Sequence, residues 1–226
     1  MRLHPWVFEA FQLLASHTNS ANALAMKAYM KGQFNFLGQK KPMRTALTEP
    51  LFQRQNLPPK ADLETILLEL WAQPEREYQL LGLDLIRKFE KKLEPADLPW
   101  IERLICEKSW WDTVDFLATH AIGSLLERHP IESKAIVEPW IHSPNLWLNR
   151  SVIIAQILYR KQLDFRLLED AIKPHHASTE FFHRKAIGWA LRSVSERHPQ
   201  WTIDYVERYA KELSGLSQRE ALRKLK

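Results

Sequence analysis

Apolar positions along the chain recur three and four residues apart, the period of a helix with one buried face. No stretch alternates with the period of a strand between hairpin turns. Residues 5–17 predict a first helix with Trp6, Phe8, Phe11, Leu13 and Leu14 apolar. Asn19-Ser20 breaks the chain and caps a second helix running to Met30, and Phe34 to Gly38 ends that unit. A basic turn, Gln39 to Arg44, places Pro42 at the opening of the next helix, which Pro58-Pro59 closes. Asp62 then caps a helix carrying Leu63, Ile66, Leu67, Leu70 and Trp71.

From there a pattern repeats. Glu77–Ile86, Asp112–Ile122, Asn149–Leu158 and His183–Arg192 are similar long helical stretches, recurring at roughly 35 residues, within the range of helical repeats. Shorter helices lie between them, near 97–107, 131–142 and 164–173. Pro74, Pro95, Pro130, Pro144, Pro174 and Pro199 separate the members. One helix pair cannot bury its own apolar face, so neighbouring pairs stack. The prediction is an all-α helical-repeat solenoid of about six helix pairs. It spans 1–226 as a single domain, with one helix of each pair lining a concave face. Leu216 to Lys226 reads as a short basic capping helix.

Composition agrees with helices. Glycine is scarce, at 6 of 226 residues, while 45% of positions are apolar, enough for a real core. The single cysteine, Cys106, follows Leu104-Ile105 and predicts a buried small hydrophobe in a reducing compartment. No signal peptide and no apolar run of membrane-spanning length is visible, which predicts a cytoplasmic protein without a membrane partner. A net charge of +5 permits nucleic-acid binding without requiring it, and nine tryptophans suit either bases and sugars or tight helix packing.

Candidate chemistry centres on Ser109-Trp110-Trp111-Asp112-Thr113-Val114-Asp115. Ser109 predicts an N-cap, with Asp112 reaching back to complete a capping box. Trp110 aligns with Val114, Leu117 and Ala121 as a core stripe. Trp111 and Asp115, four apart, share another face, where an indole beside a carboxylate suits a flat cation. Asp115 lies in an otherwise apolar run, where an unpaired carboxylate is costly. Arg150 falls in the row of Leu146, Ile153, Ile154 and Ile157 and needs an anion or water. Arg184 aligns with it one repeat on, and Arg192 lies two turns beyond Arg184. These arginines admit two readings, ligand contacts or ion pairs to the neighbouring repeat. Trp189, after Gly188, is either core or a site residue; the glycine lets another backbone or a ligand come close. There is no His-Glu-x-x-His, Cys/His ligand set, phosphate loop or serine elbow, so neither a metal nor a cofactor is expected.

The 109–115 stretch closely resembles the Lys-Ser-Trp-Trp-Asp-x-Val-Asp motif of the AlkD-like DNA alkylation repair glycosylases. Tyr29 with Phe34-x-Phe36-Leu37-Gly38, Pro74-Glu75-Arg76-Glu77, Trp147-Leu148-x-Arg150 and Lys185-Ala186-Ile187-Gly188-Trp189 fit the same family in order and spacing. The resemblance implies HEAT-like repeats around a basic concave face and removal of N3- or N7-alkylated purines from duplex DNA. It implies Trp111, Asp115 and Trp189 as the catalytic pocket, Arg150 and Arg192 on the DNA backbone, and Tyr29 at the rim. Lys40, Lys41 and Arg44 are candidate phosphate contacts, although that turn departs from the family pattern. The expectation is a monofunctional glycosylase acting on DNA as a monomer, cytoplasmic and associated with the nucleoid. A non-catalytic repeat protein binding damaged or bent duplex DNA, and a HEAT-like scaffold for protein partners, are the alternatives.

Overall fold

The computed structural model describes residues 3–159 and 162–225. Met1 and Arg2 of the leading stretch and Lys226 of the tail lie outside the described residues. The fold is all-α, as the repeat pattern predicts, and the described residues add to the helices only an isolated bridge, Asn35 to Glu75. No described helix is long and apolar enough to cross a membrane. The single-domain expectation for 1–226 meets a chain whose contacts gather into two compact units, Met1–Lys92 and Leu93–Lys226.

The first unit contains α1 (Pro5–Ala15), α2 (Ser20–Tyr29), α3 (Lys41–Thr48), α4 (Leu63–Ala72) and α5 (Arg76–Phe89). Asn19 caps α2 by accepting the Asn22 N–H at 2.9 Å, and Pro42 sits in the first turn of α3. Helix α3 stops at Thr48 in a 3-10 turn, Glu49–Phe52, well before Pro58-Pro59. Leu14, Ile66, Leu67, Leu70, Leu81 and Leu85 are fully buried. Two of the family-like motifs form one device here. The Glu77 carboxylate accepts the backbone N–H groups of Leu37, Gly38 and Gln39 at 2.8–3.0 Å. The Arg76 N–H donates to the Asn35 carbonyl at 2.9 Å, and the Arg76 guanidinium lies 3.8 Å from the Phe34 ring centre. Gly38 has φ +90°, and a Cβ there would collide with the Asn19 carbonyl oxygen, so the turn requires glycine.

The second unit contains α6 (Leu98–Cys106), α7 (Trp111–Phe116), a π-helical segment (Leu117–Ile122), α8 (Gly123–Arg128), α9 (Pro130–Val137), α10 (Leu146–Ile154), α11 (Phe165–Ile172), α12 (Phe181–Ser195), α13 (Pro199–Arg208) and α14 (Gly215–Ala221). Helix α10 packs on α6, α7, the π segment, α11 and α12, and α12 packs on α13 and α14. A side chain at corresponding repeat positions satisfies the turn before it. Gln79 Nε2 donates to the carbonyls of Leu70 and Gln73, and Asn149 Nδ2 to those of Trp140, Ile141 and Ser143.

Two expectations about 106–112 are corrected. The N-cap of α7 is Trp110, which makes no side-chain cap bond, so the Ser109–Asp112 capping box does not form. Lys108 turns the chain with φ +50°, and Ser109 Oγ instead donates back to the Ile105 carbonyl. Cys106 is exposed rather than buried, because α6 ends there and its side chain leaves the Leu104–Ile105 face.

Candidate active site

Asp115 and Arg150, the two residues whose sequence setting calls for a partner, find each other. Arg150 Nε donates to Asp115 Oδ1 at 2.7 Å and Nη2 to Oδ2 at 2.8 Å, a two-pronged pair between α7 and α10. Arg150 Nη1 donates to the Phe182 carbonyl at 2.7 Å, tying in α12 as well. Local packing sets this approach. A Cβ on Gly123 would lie 2.4 Å from the Ala155 carbonyl oxygen, so the glycine lets the end of α10 close on α8. Tyr159 locks the same crossing by donating to the Gly123 carbonyl at 2.8 Å. The π segment begins two residues after Asp115, and Thr119 Oγ1 donates to the Asp115 carbonyl at 2.7 Å. Such wide turns within helices recur at functional sites.

A cavity of about 340 Å³ opens on this pair, lined by Trp111, Asp115, Arg150, Phe181, Phe182, Lys185, Trp189, Arg192 and Glu220. The Arg150 side chain is 5% exposed and that of Asp115 17%. Burial pushes the Asp115 carboxyl above the usual carboxylate range; Arg150 opposes this and Asp112 adds to it. A carboxylate has about four acceptor sites, so the pairing leaves each oxygen a second lone pair. Phe182 stacks in a cluster with Trp110 and Trp147, at ring-centre separations of 5.3 and 4.8 Å, fixing one wall. Trp110 therefore belongs to a half-buried aromatic cluster, while Val114, Leu117 and Ala121 are fully buried. Burial and the neighbouring His175 and Arg150 push His183, 3.2 Å from Asn149 Oδ1, down to about 4, so it stays neutral.

Of the other candidates, Arg192 lines the cavity and Arg184 does not. Lys185, Trp189 and Arg192 follow the i, i+4, i+7 stripe of α12, and Arg184 is rotated about 100° from Lys185. Arg44, expected to touch phosphate, is a correction: it is buried and pairs with Asp84 at 3.2 Å. Helix α3 turns that face onto the interior of the first unit. Tyr29, Lys40 and Lys41 are exposed on that unit. Sequence reasoning missed Phe181, Phe182, Lys185 and Glu220. The stripe through Trp189 and Arg192 is a signal that would have found Lys185. Glu220 has none, because it arrives on another helix.

A family model described as "DNA alkylation repair enzyme" matches residues 10–225. The chain belongs to the DNA alkylation repair enzyme family. The chain is also similar to a solved structure described as a predicted DNA alkylation repair enzyme from Enterococcus faecalis. The two are 33% identical with a TM-score of 0.83, over 92% of this chain and 97% of that one. No curated protein matches. Membership makes this protein an enzyme of alkylation-damage repair whose substrate is DNA. The Trp111–Asp115–Arg150–Trp189 cavity is thus the candidate active site of a DNA alkylation repair enzyme.

Proposed function

We propose that the protein is a monofunctional DNA glycosylase that hydrolyses the N-glycosidic bond of cationic N3- or N7-alkylated purines in duplex DNA. The observation supporting this most is an ionisable carboxylate held rigidly by Arg150 at a cavity that two indoles line. An alkylated purine already carries positive charge and leaves without an acid to protonate it. The remaining demand is at the sugar, which becomes oxocarbenium-like as the bond breaks. Asp115 faces that developing charge and orients the attacking water, an electrostatic contribution that needs no reorganisation because Arg150 has fixed the carboxylate. Trp111 and Trp189 offer π faces to the cationic nucleotide. Arg192 and Lys185 supply positive charge for the phosphodiester, and Arg150 has two N–H groups beyond its three bonds for the same purpose. Exposed Tyr29, Lys40 and Lys41 are proposed as further DNA contacts.

Lys185 is the primary amine in the cavity, so a lyase step has to be weighed. Its Nζ lies 3.2 Å from Glu220 Oε1 as an ion pair. Paired with Glu220 here, and on this proposal with a phosphate once DNA binds, Lys185 is engaged by an anion in both states, which favours hydrolysis over a Schiff base. The test is incubation with methylated duplex DNA, followed by chromatography of released bases and a gel of the strands. Free 3-methyladenine or 7-methylguanine, with abasic strands left intact, is the expected result. Strand scission with a borohydride-trapped adduct would replace this mechanism with a lyase. DNA binding without base release would favour a non-catalytic binder of damaged or bent duplex.

A further inference from the structure

Resting on the glycosylase reading, we infer that Glu220 is an internal stand-in for a DNA phosphate, occupying Lys185 and Arg192 in the free protein and tempering how tightly DNA binds. Its Oε1 lies 3.2 Å from Lys185 Nζ, and Arg192 Nη1 donates to its Oε2. One carboxylate thus serves two cations on the stripe that also carries Trp189. A phosphate would present oxygens to the same donors.

The placement is built into the packing of α14 on α12. A Cβ on Gly188 would lie 2.5 Å from Glu220 Cβ and 3.1 Å from the Ser217 carbonyl oxygen, so only glycine lets the two helices approach this closely. Ser217 Oγ donates to the Arg184 carbonyl at 3.0 Å and holds α14 in register. Gly188 lies between Lys185 and Arg192 on the helix, so its partner Glu220 falls between the two cations. The Glu220 backbone is seated, leaving only the side chain free to withdraw.

The cluster is open enough to exchange ligands. The side chains of Lys185, Arg192 and Glu220 are 38%, 20% and 17% exposed, against 5% for Arg150. Burial pushes the Glu220 carboxyl up, but Lys185 and Arg192 outweigh it and hold the group below the usual range. At neutral pH the cavity therefore presents one net positive charge from this trio instead of two. A phosphate arriving at these cations must displace the carboxylate, or bind beside a like charge. Each cation already neutralised in the free protein also releases less counterion on binding.

The test is the affinity of the full chain for an undamaged duplex, read by fluorescence anisotropy across a salt series. Glu220→Gln is expected to bind roughly 3–10-fold tighter at low salt, with the slope of log K against log salt steeper by about one. Glu220→Asp, which keeps the charge, should stay near wild type. In a Lys185→Met, Arg192→Met background, Glu220→Gln should leave the salt slope unchanged, since no cation is left for it to release, and only the repulsion between the bare carboxylate and the phosphate is relieved. Unchanged affinity and slope in the single variant would overturn the inference. So would weaker binding with a lowered melting temperature, which would make Glu220 only a tether for α14. Wild type that fails to bind duplex DNA at all would instead remove the glycosylase reading on which the inference stands.

Discussion

Glu77 in the first unit and Asp115 in the second are both acidic residues near the start of a long repeat helix, and both have lost most of their water. Glu77 spends its carboxylate on three backbone N–H groups of the 37–39 turn, and is completely buried. Asp115 spends its carboxylate on a side chain, Arg150, and keeps an open flank on a 340 Å³ cavity. Backbone donors around an enclosed carboxylate fix a loop. A guanidinium behind a carboxylate, with space in front, fixes a charge for use. The difference lies in what occupies the other side of the group, since each is satisfied in its hydrogen bonds.

The comparison can be strained from several directions. Arg150→Ala should have the largest combined effect. It strands a buried carboxylate and should cost about 3–5 kcal/mol in urea unfolding, as breaking a buried pair does. Residual base release should also change its pH profile. On the proposed mechanism Asp115 acts as an anion, and its pKa is raised by burial, so release should fall as pH drops through a point above the usual carboxylate range. Removing Arg150 takes away the cation that opposes burial, so this acid limb should move to still higher pH. A limb that stays in place would mean that Asp115 is not the titrating group.

Glu77→Gln should be costly in the opposite way. Its amide NH₂ would face backbone donors, and the loss should be about 2–5 kcal/mol of stability. Base release per folded molecule should be nearly unaffected. Low activity in a fully folded Glu77→Gln protein would erase the distinction between the two carboxylates. Gly188→Ala is a smaller disturbance. Its methyl would press on Glu220 and on the α14 backbone, with an expected loss of about 1–3 kcal/mol by overpacking. A thermal melt would read this. The smallest effect on DNA is expected from Arg44→Met. It removes a part-buried pair with Asp84, so it should alter melting while leaving the salt slope of DNA binding unchanged. A slope reduced by about one would put Arg44 back among the phosphate contacts.

The helical architecture was legible because each repeat writes its apolar stripe and its break locally: Asn19 before α2, Pro42 in α3, Pro130 in α9 and Pro199 in α13. Asp115 and Arg150 were legible as two charges in apolar rows, each needing a partner. The pairing itself was not, because 35 residues separate them and only helix packing decides which neighbour a guanidinium reaches. Lys185 rather than Arg184 lines the cavity, a distinction the repeat alignment could not draw because one residue along a helix turns a side chain by about 100°. Ser109 looked like a cap because the positive φ of Lys108, which turns its hydroxyl back toward α6, leaves no mark in the residue pattern. Glu220 was invisible because its meaning comes from Gly188, on a different helix.

The most direct measurement is single-turnover base release from methylated duplex DNA by wild type and Asp115→Asn, with DNA affinity taken on the same samples. The amide is close in shape and keeps an oxygen for one Arg150 N–H, but it lacks the negative charge and turns an NH₂ toward the other donor, so release is taken per folded molecule. Release should fall by about 10²–10³-fold, the scale of losing one aimed electrostatic group, while affinity for DNA stays within a few-fold of wild type. Release at the wild-type rate by a folded Asp115→Asn protein would contradict the assignment of Asp115 as the charge that stabilises the departing sugar.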